Sequence, residues 1–371
     1  MCALPISSGQ NITLDDSSST FGSISLVGAD VAVTENGDID LGTSIITGSA
    51  SFNSSGNAIS DSGTLAITGA TTLNSGTGNI TLDDTSSTLG DLTVTGGEVY
   101  LQDTGAITAT INQASKVQFK AGTGLNVTST GITEFAGESD SGNIAVVNTG
   151  GYAISDLSNI TGVQFTNSEA TGSISLVANS PLTINAPVSA GNGSLQLTAS
   201  GSSSTDDVTI NAAISGGAIA VDAGDSIAVN SGGVTSTSLS LTASNDISVN
   251  TPIIATTANL NAGDQISLES GASVSSSTFN VTSTKLKVDP SASVPAFNFS
   301  GGAEGDPSFD RNGRVQEATQ NDWNSYFRAS GTVELAYDSA GDVVLDQMIL
   351  SFIENEAEPV NSGEVELEEE E

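Results

Sequence analysis

Asn11-Ile12-Thr13-Leu14-Asp15-Asp16 recurs as Asn79-Ile80-Thr81-Leu82-Asp83-Asp84. The same offset of 68 carries Thr20 onto Thr88, Gly22 onto Gly90, Val31 onto Val99 and Ile39 onto Ile107. Over positions 11 to 26 the copies agree at ten of sixteen places, and five of the six differences exchange like for like, as in Phe21/Leu89 and Leu26/Val94. Self-similarity at a fixed period marks a stacked array, in which each unit buries its apolar face only against its neighbours.

A shorter interval runs through residues 170 to 285. One apolar series is Leu176, Leu197, Val221, Leu241, Leu260 and Val281; a second is Ile184, Ile210, Val229, Val249 and Leu268; a third is Val188, Ile214, Val234, Ile253 and Val274. Most members sit in alternating triplets such as Leu195-Gln196-Leu197 and Ile227-Ala228-Val229, the two-residue period of half-buried strands. Gly216-Gly217, Ala223-Gly224-Asp225 and Asn230-Ser231-Gly232-Gly233 read as turns between them. Three short strands in about 20 residues describe one coil of a parallel β-solenoid; a sandwich needs about 100 residues. The expectation is an all-β rod of about 13 coils with neighbouring strands ~4.8 Å apart, in which each 68-residue repeat (11–78 and 79–146) holds three coils.

Composition narrows the partners. Of 371 residues only 7 are Lys or Arg against 43 Asp or Glu, a net charge of −36. Nucleic acid and anionic lipid need basic contacts, so cations or basic protein patches fit better. Cys2 is the only cysteine, which rules out an internal disulfide framework, and the sequence has no apolar run long enough for a transmembrane segment. The start, Met1 to Gly9, lacks the basic and apolar regions of a signal peptide, so the chain reads as a piece of a longer one.

The solenoid is expected over residues 9–300. Residues 111–170 are less regular and bring Lys116, Lys120, Phe119, Phe135 and Phe165; they read as irregular coils with aromatic core fillers, a binding protrusion being the alternative. Residues 303–353 read as a small α+β cap. Trp323, Tyr326 and Phe327 have helical spacing, and Val333 to Tyr337 with Val343 to Leu345 suggests a hairpin. A cap is expected because an open solenoid end exposes unpaired strand edges; Trp323, Tyr326, Arg314 and Arg328 are the alternative ligand contacts there. Residues 354–371, with nine Glu, are expected to be a disordered acidic tail.

Histidine is absent, which removes the commonest general base and Ser-His-Asp chemistry. No catalytic residue and no cofactor is assigned. Asp15, Asp16, Asp83 and Asp84 are the candidate calcium ligands, since Ca2+ takes six to eight oxygens; the favoured reading is that they are solvated turn residues, because Asp is a preferred turn residue in any case. Paired carboxylates at these positions or at Asp206-Asp207 would be needed for glycoside hydrolysis, but recurring pairs do not resemble a single active site. Lys116 and Lys120 are the only basic side chains before Lys285, so a polysaccharide lyase requires one of them over a cleft with Asp or Glu from three adjacent coils.

Gly78 to Asp84, Leu92 to Gly97, Asp103 to Thr108 and Asp207 to Ser215 together resemble the repeats of filamentous haemagglutinin-like adhesins of Gram-negative bacteria, over roughly residues 9 to 285. The resemblance implies a right-handed parallel β-helix exported by a two-partner or autotransporter route and displayed at the cell surface or secreted. It implies a non-enzymatic adhesive stalk for attachment, aggregation or biofilm. Its partners would be host or neighbouring-cell surface proteins or glycans; end-to-end self-association is a further expectation, drawn from the unpaired strand edges of an open solenoid end. The alternatives are a β-helix polysaccharide lyase or hydrolase and a calcium-stabilised structural rod.

Overall fold

The computed structural model describes residues 9–16, 18–289, 291–295 and 297–300, together with the short strands Cys2–Ala3, Ser308–Phe309, Val315–Glu317 and Val333–Leu335. The described residues are all-β, without a helix, and wind into a parallel β-solenoid of about 14 turns, consistent with right-handed winding. At ~4.8 Å per turn the rod is on the order of 65 Å long.

Two ladders run its length. The first begins Ile12–Leu14, Val31–Thr34, Ala50–Asn53, Thr71–Asn74; the second runs Ser23–Ser25, Ile39–Leu41, Ile59–Asp61, Ile80–Leu82. A short third ladder, Val27–Gly28, Ser44–Ile46 and Leu65–Ile67, closes the N-terminal coils and ends in the bridge of Ala66 to Thr88. In most of the described strands alternate side chains turn inward, so stacked Ile, Val and Leu form one continuous interior.

The three apolar series of the C-terminal half are direct rungs of the structure. Leu176, Leu197, Val221, Leu241, Leu260 and Val281 are successive Cα partners in the first ladder. Ile184, Ile210, Val229, Val249 and Leu268 are partners in the second. Val188, Ile214, Val234, Ile253 and Val274 stack in the same way on a third side. All of these side chains are buried.

Two expectations about winding are corrected. The register takes Ile12 to Val31, Ala50, Thr71 and Leu92 in steps of 19, 19, 21 and 21 along the numbering, so an offset of 68 falls between three and four whole coils. The two copies of the hexapeptide therefore stand on different ladders. Gly216-Gly217 is likewise no turn: it lies inside the strand Ile214–Ala223, whose first part pairs with Val188–Ser189 and whose second part pairs with Ser194–Ala199. A single bent strand serves two faces there, and glycines suit the corner because no Cβ obstructs it.

The irregular stretch has a specific cause. The register partners Leu92, Ala109, Val127 and Val146 are separated by steps of 17, 18 and 19, and these coils lack the third ladder. Their second-ladder strands lengthen to six residues, Glu98–Asp103, Lys116–Ala121 and Glu134–Ser139, and Phe119 and Phe135 meet edge to face at 6.2 Å in the interior. Glu134–Ser139 then splits its pairing between Tyr152–Ile154 and Val163–Phe165. Residues 155–162, inserted between those two strands, fold back over Ala136 and Gln118, with the Asn159 N–H donating to Gln118 Oε1 at 3.0 Å.

At the far end, Val333–Leu335 pairs antiparallel with Phe297–Ser300, the last described rung of the first ladder. Val315–Glu317, which pairs antiparallel with Ser308–Phe309, lies against Lys285–Val288 at the end of the second. Both ladder ends are thus overlaid by later chain, which occupies edges that would otherwise be free. The helix expected at Trp323 to Phe327, Val343 to Leu345 and the 354–371 tail lie outside the described residues.

Candidate functional site

Turn aspartates and asparagines join one coil to the next. Asn11 Oδ1 accepts from the Asp30 N–H, and Asp30 Oδ1 from the Ser49 N–H. The same one-coil link recurs from Asp38 to Ala58, Asp61 to Asp83, Asn79 to Glu98, Asp207 to Ser226, Asp246 to Gln265 and Asn250 to Gly271. A carboxylate or amide oxygen at a coil corner satisfies a backbone donor that the ladder leaves over, a charge-assisted bond where the acceptor is Asp. Sequence reading missed this role; its signal was the recurrence of Asn and Asp at coil spacing.

The calcium candidates fall within this scheme. Asp16 Oδ1 accepts from the N–H and hydroxyl of Ser18, which holds its carboxyl below the ordinary range, and its repeat equivalent Asp84 accepts from the Ser86 N–H. Both are local turns of the Asx kind. Asp83 donates its N–H to Asp61 Oδ1 and Asp84 its N–H to Asp61 Oδ2. Asp15, Asp16 and Asp83 are exposed, and among the described residues no three or more Asp, Glu, Cys or His side chains converge as a metal-holding group.

Two buried carboxyls are also repeat equivalents. Glu35 Oε1 accepts from the Phe21 N–H at 2.6 Å; at the repeat offset, Asp103 Oδ2 accepts from the Leu89 N–H at 2.7 Å. Asp103 Oδ1 further takes the Gly105 N–H, whereas Glu35 Oε2 has no partner. Burial pushes both carboxyls up despite these bonds, as it does for Asp61 and Asp207, and the neighbouring Asp38 charge adds to the effect on Glu35.

Lys116 and Lys120 lie on one outward face of the second ladder. Lys116 is flanked by Glu98 and Glu134, with 3.4 Å to Glu98; Lys120 is flanked by Gln102 and Glu138, with 3.8 Å to Glu138. A shallow cleft of about 280 Å³ beside Lys120 is lined by Thr85, Gln102, Asp103, Thr104, Gly122 and Asp140 among others. It therefore brings one lysine together with carboxylates from the coils on either side. Those carboxylates already have structural partners, Asp103 in backbone N–H groups and Asp140 in the Thr166 hydroxyl, while Glu138 takes the Gln164 amide.

Trp323, Tyr326, Arg314 and Arg328 lie outside the described residues, so the structure neither gathers nor separates them. Asp206, the other carboxylate pair member, is buried and accepts from the Ser203 N–H and hydroxyl inside its own turn.

Similarity to a described family is confined to the N-terminal coils. Residues 28–93 match a family described as repeats of unknown function (DUF5649). The match begins in the first strand of the third ladder and ends in the first-ladder strand Asp91–Thr95, spanning the junction of the two 68-residue copies. It covers well under half of the chain. No curated protein and no solved structure shows significant similarity to it.

Proposed function

We propose that the chain is a non-enzymatic, load-bearing segment of a secreted or surface-exposed protein, a stalk that holds weak, repeated contact faces away from a cell and gains avidity from their number. The observation that carries this reading is that the polar groups one would enlist for chemistry are engaged in coil-to-coil links and turn bonds. Glu35 performs the Asp103 task where no lysine is near, which identifies the buried carboxyl as part of the coil architecture. The resemblance to haemagglutinin-like repeats supports surface display, and the strong negative charge favours partners with basic or neutral surfaces. Calcium stabilisation is a separate proposal, testable by adding chelator during thermal melting.

The test is adhesion against turnover. Beads carrying the full chain at graded density are offered to epithelial cells and to bacteria, and the soluble chain is incubated with acidic and neutral polysaccharides. The stalk reading expects retention that rises steeply with density and no new reducing ends or unsaturated products. Polysaccharide cleavage would overturn it in favour of a second reading, catalysis at the Lys120, Asp103 and Asp140 cleft, where a cation and carboxylates from neighbouring coils share a groove.

A further inference from the structure

The chain contains three Asn-Gly pairs, of which Asn36-Gly37 and Asn192-Gly193 lie among the described residues. They are held very differently. The Asn192 side chain donates to Glu169 Oε2 at 3.0 Å, its N–H donates to the Ala170 carbonyl, and the Gly193 N–H donates to the Ala190 carbonyl at 2.8 Å. Gly193 is packed so closely that a Cβ there would lie 1.7 Å from the Gly172 oxygen. Asn36 is exposed in the bend between Val31–Thr34 and Ile39–Leu41, and neither its amide nor the Gly37 N–H has a hydrogen-bond partner. Gly37 has only ordinary contacts: a Cβ there would stand 3.5 Å from Glu35 Oε1 and 3.8 Å from a Thr20 methyl.

We propose that Asn36 is a self-modification site, at which the folded rod converts this asparagine into aspartyl and isoaspartyl forms while Asn192 is protected. The Gly37 nitrogen attacks Asn36 Cγ and the N–Cγ bond forms. The Cγ–Nδ2 bond breaks, and ammonia leaves with the proton that Gly37 gave up. Water then opens the five-membered imide. Attack at Cγ returns a normal backbone with aspartate; attack at the residue 36 carbonyl carbon leaves isoaspartate, whose backbone is one methylene longer. Glycine at 37 permits the close approach because it carries no Cβ, and the free N–H costs no hydrogen bond when it is deprotonated. Either product places a new negative charge between Glu35 and Asp38, beside the buried carboxyl that holds Phe21.

The test is peptide mapping of the intact chain aged at mildly alkaline pH, with isoaspartyl-specific methylation as the second readout. The Asn36 peptide is expected to convert on the order of tenfold faster than the Asn192 peptide, and the two rates should converge when the chain is aged in denaturant. Gly37→Ala, which the surrounding space accommodates, should suppress conversion at Asn36 and leave the melting temperature near that of the parent. Equal rates in the folded chain, or an Asn36 peptide that stays intact, would overturn the proposal.

Discussion

Ile12 and Ile80 belong to the same hexapeptide and stand on different faces of the rod: Ile12 pairs with Val31 in the first ladder, whereas Ile80 lies between Ile59 and Val99 in the second. The onward path of the chain differs as well. After Ile80 it crosses the third ladder, where the Ser87 hydroxyl accepts the Leu65 N–H at 2.9 Å and Thr88 bridges Ala66, before reaching the first ladder at Leu92. After Ile12 it reaches the second ladder at Ser23–Ser25 and only then the third at Val27–Gly28. Turn bonds such as Asp16 to Ser18 and Asp84 to Ser86 survive the change because they are local; the crossing depends on what lies underneath.

This difference predicts opposite outcomes for equivalent glycines. Gly90 has φ +67°, and a Cβ there would lie 1.9 Å from the Gly69 oxygen; Gly22 has nothing within 4 Å. Gly90→Ala should cost about 2 kcal/mol or more, from left-handed strain and displaced backbone. Gly22→Ala should leave stability unchanged or slightly raised. Denaturant melts of the two variants check this.

Equivalent serines should diverge in the same direction. Ser87→Ala leaves the buried Leu65 N–H unpaired and should cost about 1–3 kcal/mol. Ser19, its counterpart, accepts no such bond, and Ser19→Ala should stay within about 0.5 kcal/mol of the parent. Thermal melts of both variants measure the contrast.

Stability should rise as the solution becomes mildly acidic. Burial raises the folded-state pKa of Glu35, Asp61, Asp103 and Asp207. Such groups contribute most below their unfolded values and lose that contribution as pH rises through the folded ones. Relief of repulsion in a chain of net charge −36 acts in the same direction. Asp16 and Asp289, held low by Ser18 and Ser291, act the other way, and their contribution is lost only as pH falls through their lowered values. The melting temperature should therefore climb from pH 8 toward about pH 5. Glu35→Gln should flatten that slope; a melting temperature that falls over the same range would contradict the assignment.

The ladders were legible in the sequence because Leu176, Leu197, Val221 and their successors recur at nearly even steps with alternating neighbours, a pattern that only burial on one side of a strand requires. The winding of the repeats was not legible. Identical residues at 11–16 and 79–84 carry no mark of the chain stacked beneath them. Gly216-Gly217 read as a turn because the same glycines serve a bent strand, and the 155–162 insertion lay within a stretch whose spacing showed only that its coils are irregular. The buried roles of Glu35 and Asp103 depend on backbone donors at Phe21 and Leu89, well upstream, which no local pattern announces.

The stacking itself is tested most directly by distances along one row. Thr72 and Asn261 face outward on the first ladder, nine rungs apart by register through Thr93, Thr110, Thr128, Val147, Val177, Thr198, Asp222 and Thr242. Spin labels at these two positions, with Cys2 replaced by serine, should give a narrow distribution near ~43 Å by pulsed electron paramagnetic resonance, and labels at Thr72 and Thr128, three rungs apart, one near ~14 Å. A broad distribution, or separations that do not grow in proportion to the number of rungs, would contradict the solenoid and, with it, the proposed stalk.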